Sequence, residues 1–290
     1  MIINPKEIPV QKLHSYLLGA VAPRPIAFAS TIDDAGRVNL SPFSFFNVFS
    51  SNPPILIFSP ARRVRDNSTK HTLQNVQQVK EVCINIVNFA MVEQASLASC
   101  EYPAGVNEFV KAGFTEEPST QIKPPRVAES PVSFECRVKE IIALGDQGGA
   151  GNLIVSEIVL VRIKDEILDV HGRIDPQKLD AVARMGADYY CRASGHAVFE
   201  VAKPSEKLGV GVDRLPPHVW TSECLTGNDL GRLGNLDVLP DPEVAVVVQQ
   251  LPEVNHALNT GLPAVHALAK AWINSGRLPE AWALLALGRE

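Results

Sequence analysis

The sequence predicts a mainly β domain with peripheral helices, followed by a helical C-terminal extension. Three observations carry that prediction. Between Ala22 and Ser59, apolar runs at Ile26 to Ile32 and Ile55 to Phe58 flank the block Asn39 to Asn47, with turn residues between them, as short strands with buried faces require. Over Ser133 to Val138 the chain alternates, with Phe134, Cys136 and Val138 facing one way and Ser133, Glu135 and Arg137 the other. From Val254 onward, Leu258, Leu262, Val265, Leu268 and Trp272 recur near a helical period, and Trp282, Leu284, Leu285 and Leu287 form a second such stripe.

Taken in order, Pro9 to Ala20 reads as an amphipathic helix with Leu13, Leu17 and Leu18 on one side. Asp33-Asp34-Ala35-Gly36 fits a hairpin turn. Leu73, Val76 and Val79 mark a helix that Ser68 or Thr69 would cap, placing Lys70 and Thr72 in its first turn. Glu81 to Asn88 is a strand, Met91 to Cys100 a short helix, and Gln121 to Pro131, with Pro124, Pro125 and Pro131, an irregular strap. The glycine-dense stretch Leu144 to Asn152 lacks the Gly-Lys-Ser/Thr of a phosphate loop and reads as a hairpin into the strand Leu153 to Ile163. Asp175-Pro176 opens a helix whose stripe is Leu179, Val182 and Met185, ending at Gly186. The expected organisation is a domain over residues 1–203 and an extension over 204–290, loop-rich at first and then helical.

With 46% hydrophobic and 20% charged residues the chain can bury a sizeable core. A net charge of −5 gives no reason to expect nucleic acid or an anionic membrane as partner. Cys83, Cys100, Cys136, Cys191 and Cys224 are widely spaced and form no Cys-x-x-Cys pair, which points to reduced thiols rather than a disulfide framework or structural zinc. The beginning of the sequence has no signal-peptide pattern, so the expected location is the cytoplasm. No nucleophile triad, acid/base carboxylate pair or metal-ligand cluster stands out, so no catalytic or metal-binding side chain is assigned, and the chemistry is expected to reside in a bound redox cofactor.

Ser30, Thr31, Ser44, Asn47 and Ser59 put small neutral donors at strand ends, suited to a phosphate or the polar edge of a ring; ordinary strand-end chemistry is the competing reading for each. Arg62, Arg63 and Arg65 precede Lys70 and Thr72 at a helix start, where open amides and the helix dipole favour an anion; a solvated basic loop is the alternative. Arg184 and Tyr190 could wall a pocket or pack within the fold.

The succession Arg24-Pro25-Ile26-Ala27, Ser30-Thr31, Asn39 to Asn47, Pro53-Pro54 with Ser59, and Lys70-His71-Thr72 with Asn75 resembles the flavin reductase-like proteins of the FMN-binding split-barrel fold. That family includes flavoredoxins and the reductase components of two-component monooxygenases. Weaker matches run through Gly113-Phe114, Glu129-Ser130-Pro131 and Cys136 to Arg184-Met185-Gly186-Ala187-Asp188-Tyr189-Tyr190, covering roughly two thirds of the chain. The resemblance implies an antiparallel, Greek-key-like split β-barrel that binds FMN at a homodimer interface. It implies NAD(P)H as co-substrate, with free flavin, a monooxygenase or an electron-transfer protein as acceptor. By residue, Arg24, Pro25 and Ile26 would border the isoalloxazine, and Ser44, Phe46 and Asn47 would meet its polar edge or the ribityl chain. Ser30 belongs to the same matched group, while Thr31, Ser59, Lys70 and Thr72 would hold the ribityl or phosphate end. Two positions depart from the pattern: His71, where many relatives have Asp, and Gly145-Asp146-Gln147, where short flavin reductases carry Gly-Asp-His. The missing His keeps open a flavoredoxin-type carrier reduced by a protein, and the long extension keeps open a non-catalytic flavin-binding module.

Overall fold

The computed structural model describes residues 1–202 and 208–288 and divides into two compact units, Met1–Phe199 and Glu200–Glu290. The boundary expected at 203/204 lies outside the described residues.

In the first unit, α1 (Val10–Ala20) precedes β1 (Ala27–Ile32), β2 (Val38–Phe43), β3 (Phe46–Ser51) and β4 (Pro54–Phe58). Then follow α2 (His71–Val79), β5 (Glu81–Ile86), α3 (Val92–Leu97), α4 (Glu108–Ala112), and the short pair β6 (Glu116–Glu117) and β7 (Arg126–Val127). The long strands β8 (Val132–Ala143) and β9 (Asn152–Ile163) lead to α5 (Pro176–Leu179), β10 (Val182–Arg184) and β11 (Tyr190–Arg192). Seven strands form one antiparallel sheet in the order β2-β1-β5-β8-β9-β4-β3.

That order forces curvature. Laid flat, seven strands would hold β2 and β3 about 29 Å apart at ~4.8 Å per step. Yet only Ser44 and Phe45 separate the end of β2 from the start of β3, a link that can span no more than about 11 Å. The sheet is therefore curled until its two edges approach. Its two faces bury separate clusters, sorted by the period of β1: Ile26 and Phe28 go with Leu40, Met91, Phe109 and Phe114, beneath α3 and α4. Ala27 and Ala29 go with Phe43, Phe58, Ile84, Cys136 and Ile154, closed by Leu73 and Val76 of α2.

Most expected elements are present, and three differ. The block Asn39 to Asn47 is not one segment but the end of β2, a turn and the start of β3. The helix opened by Asp175, which accepts from the amides of Gln177 and Lys178, stops after one turn because Asp180 turns left-handed at φ 50°. Val182 to Arg184 then pair with Tyr190 to Arg192 as a ribbon, held by the Arg192–Asp180 ion pair. Finally, α2 begins with Lys70 as its N-terminal flanking residue, and no side chain caps it.

The second unit contains α6 (Gly227–Gly234), α7 (Pro242–Gln249), α8 (Pro252–Thr260), α9 (Leu262–Asn274) and α10 (Leu278–Leu287). The period seen from Val254 to Trp272 is divided at Gly261, whose φ of 110° suits glycine and separates α8 from α9. Val254, Val265, Trp272, Ile273, Leu284 and Leu285 form a core of this unit's own. His218 and His266 are buried in this unit as stacked rings. His218 Nε2 faces the carbonyl of Leu285 at 3.0 Å, which can only accept, so that nitrogen carries the proton. Nδ1 of His218 then accepts from Nε2 of His266 at 2.8 Å.

Candidate functional site

The residues singled out in the sequence fall into three groups. In the first, Arg24 is buried and its guanidinium is taken up by the protein itself. Nη1 donates to the carbonyls of Leu18 and of Val21 (2.6 Å), Nη2 to that of Met185 (2.8 Å), and Nε to the Ser44 hydroxyl at 3.4 Å. Two of these acceptors are carbonyls at the C-terminal end of α1, which a helix cannot satisfy itself and where a cation is favoured. The Arg24 and Arg184 backbones bond reciprocally at 2.9 Å, and Arg184 lies over the Tyr190 ring at 4.6 Å. Burial, and then the Arg184 charge, push the Arg24 pKa down. Pro25 beside it is exposed, whereas Ile26 is in the core.

The second group lies within the sheet or at its edge. Ser30 and Thr31 are fully buried in β1; Thr31 Oγ1 accepts from the Asn75 amide at 3.1 Å, and the Ser30 hydroxyl has no partner. Phe46 packs against the cluster of Phe43, Phe58 and Ile84, and Asn47 is exposed.

The third group is the one with ligand-binding character. Arg63, Lys70 and Thr72 line a shallow pocket at the start of α2, with Asn39, Ser41, Tyr102 and Glu101. The Thr72 hydroxyl donates to Asn39 Oδ1 at 2.8 Å, so the group that Thr72 can offer an anion as a donor is its amide, not its hydroxyl. Arg63 Nη1 is fixed by the Ser68 hydroxyl and the Thr69 carbonyl, both at 2.9 Å, which leaves Nε directed at Glu101 Oε1 at 2.8 Å. Arg65 also reaches Glu101, and Lys70 Nζ stands 3.8 Å from it. Burial pushes the Lys70 pKa down, and repulsion from Arg63 and Arg65 adds to this while Glu101 opposes it. A half-buried cation among like charges, beside an uncapped helix of nine residues, is an environment that an anion stabilises.

Two glycines keep the neighbouring backbone close. A Cβ on Gly151 would lie 2.7 Å from the Ser59 hydroxyl, and one on Gly148 would meet the backbone of Arg63 and Val64 at 3.0 Å. The hairpin expected at Leu144 to Asn152 is thus seated against Ser59 and the basic loop, and Arg62 donates its amide to the Ala150 carbonyl at 2.8 Å. Glu101 and Asn39 carried no sign of this placement in the sequence. The first lies 31 to 38 residues beyond the cations it joins, and only the fold brings them together.

A family model for the flavin reductase like domain matches residues 19–176. The chain belongs to the flavin reductase-like family. An uncharacterised protein of Aquifex aeolicus is 38% identical over 196 residues, which span 68% of this chain and 97% of that protein. Nitrilotriacetate monooxygenase component B from Bacillus cereus superposes with a TM-score of 0.65 at 27% identity, covering 69% of this chain and 98% of its own. A flavin reductase-type protein with a split barrel domain from Shewanella frigidimarina gives 0.58 at 26%, covering 70% and 100%. These relatives are matched almost end to end, and about three tenths of the present chain has no counterpart in them. Among the described residues no helix is long and apolar enough to cross a membrane.

Proposed function

We propose that this chain is an FMN-dependent oxidoreductase that takes a hydride from NADH or NADPH onto the flavin and passes the electrons to free flavin or a partner protein. The observation that carries the reading is the cluster of Arg63, Arg65 and Lys70 at the uncapped start of α2, within a flavin reductase-like domain. Its donors fit a phosphate monoester: two guanidinium groups, an ammonium and the open amides of His71 and Thr72. The Ser59 hydroxyl, with the close-packed Gly151 behind it, extends that set toward a ribityl chain. The flavin would supply the redox chemistry. The protein's part is to anchor the phosphate, orient the ring by backbone and hydroxyl groups near Ser44 and Asn47, and limit water.

Arg24 is assigned a positioning part in this reading, since its side chain ties α1 to the Met185 loop beside Ser44. The curled sheet is assigned to the split-barrel fold, with the seam between β2 and β3. A homodimer is proposed because no side chain of α1 is fully buried, Val10 and Leu17 are half exposed, and β3, at the sheet edge, exposes Val48 and Phe49.

The test is an anaerobic absorbance titration of the protein reconstituted with FMN, adding NADH and then NADPH. Bleaching of the flavin band near ~450 nm supports the reading, because it reports the hydride step directly. FMN binding without bleaching would favour the flavoredoxin-type carrier. Gln147, in the place of the family's His and with its amide on Asp146 at 3.1 Å, is the observation on that side. A protein that binds no flavin would refute both.

A further inference from the structure

The cation cluster already holds an anion of its own. Glu101 lies on the irregular segment between α3 and α4, is exposed, and belongs to none of the elements that carry the cations it meets. One oxygen accepts from Arg63 Nε at 2.8 Å and stands 3.8 Å from Lys70 Nζ, and the other takes Arg65. Hydrogen bonds from Arg63 and Arg65 hold the Glu101 carboxyl below the usual range, so it is charged at neutral pH. Two other carboxylates nearby are already engaged: Asp66 by the Ser68 amide (2.9 Å), the Ser68 hydroxyl (2.6 Å) and Arg65 (3.2 Å), and Glu108, which lines the same pocket, by the Leu40 amide (2.9 Å).

Building on the phosphate assignment above, we propose that Glu101 is a built-in competitor of the flavin phosphate: its carboxylate takes Arg63, Arg65 and Lys70 and must yield them when a phosphate monoester arrives. Three features support this. The carboxylate presents two oxygens to the same donors that a phosphate would use. Arg63 is held from behind by Ser68 and Thr69, so its Nε keeps its direction whichever anion accepts from it. Glu101 anchors no core, so its side chain can swing into water without exposing apolar surface. No covalent bond changes in the exchange; one anion leaves the three cations and another enters. A phosphate monoester, carrying up to two charges, gains only the difference between itself and the resident carboxylate, so the flavin is held exchangeably.

The experiment measures equilibrium binding of FMN and of riboflavin, which lacks the phosphate, by flavin fluorescence at fixed ionic strength. It uses the full-length wild-type chain and the variants Glu101→Gln, Glu101→Ala and Lys70→Ala. Both Glu101 variants are expected to lower the FMN Kd about ten-fold and slow FMN release, as removal of a semi-exposed carboxylate touching three cations implies, while riboflavin affinity stays unchanged. FMN binding that is unchanged or weaker in both variants would overturn the proposal, because Glu101 would then be a strut that organises the cations. Equal tightening of FMN and riboflavin would also overturn it. The underlying phosphate assignment has its own readout: wild type must prefer FMN to riboflavin, and Lys70→Ala must erode that preference. If it does not, the assignment falls and the competitor role falls with it. Loss of preference in Lys70→Ala alongside no gain in the Glu101 variants would remove only the competitor.

Discussion

Replacing Arg24 by Ala separates a structural clamp from a ligand contact. Its guanidinium is shared among the carbonyls of Leu18, Val21 and Met185, with a weaker bond to Ser44. Truncation leaves three carbonyls without that donor. The bonds to Leu18 and Val21 are only part-buried, so each loss is set at the net worth of a hydrogen bond, about 1 kcal/mol, and the three together at about 3 kcal/mol. For a folding unit of this size, about 2–4 °C of Tm per kcal/mol gives a fall of about 6–12 °C. Arg24→Lys keeps a cation at the end of α1 but cannot span the acceptors, and should cost about half as much. Thermal melts followed by far-UV circular dichroism, with FMN binding measured in parallel, make the test. A melt lowered by less than about 2 °C, together with loss of flavin binding, would refute the clamp and return Arg24 to the edge of the isoalloxazine.

Gly151→Ala places a methyl carbon against the Ser59 hydroxyl and should weaken FMN binding about ten-fold or more while leaving circular dichroism unchanged; a titration with normal affinity would move Ser59 out of the binding set. Phe58→Ala empties a fully buried position of β4 packed on Phe43 and should cost about 3–5 kcal/mol in urea denaturation. Leu284→Ala, fully buried in the second unit, should raise amide exchange across α8 to α10 while exchange in β5 and β8 stays unchanged. Burial, and then His218, push the His266 pKa down, so the unfolded chain binds the proton more tightly. The stability this pair provides is therefore full above about pH 6.5, the ordinary histidine value, and is lost as the pH falls from there through the lower folded-state value. The slope should not exceed about 1.4 kcal/mol per pH unit for one proton, and His266→Gln, which can still donate to His218, should flatten it.

Much of the sheet was legible because β1 is buried on both faces and reads as an apolar run between turns, while the start of β8 alternates in residue type. The long terminal helices were legible from their apolar residues at a repeat of 3.6. The turn between β2 and β3 was not, since Ser41-Pro42-Phe43-Ser44-Phe45-Phe46 contains no glycine and its three phenylalanines obscure the break at Ser44. At Asp175 the local signal was sound and its reach was misjudged: the cap forms, but Asp180 ends the turn and the backbone bridge to Arg24 draws Arg184 into a strand. The first turn of α6 carried an unread signal, the reciprocal pair Thr226 and Asp229. In the candidate site, the basic residues and Thr72 were visible as a local run. Arg24 was conspicuous, though nothing in the sequence distinguishes an arginine that faces a ligand from one that binds three carbonyls. Glu101 and Asn39 were invisible because their partners are set by tertiary approach.

The separate core of the C-terminal helices also bears on how the molecule is made. The strand order joins β4 to β9, about a hundred residues apart, so the sheet is the slow part of folding. All seven of its strands have been translated once Ile163 is complete, whereas the core of Val254, Trp272 and Leu285 waits for residues about 90 to 120 positions further on. At about 5–20 residues per second, a ribosome spends roughly 5–20 s on the stretch from 200 to 290. Early in that interval the nascent sheet can find its pairing, before the competing apolar stripes from Val254 onward have been synthesised.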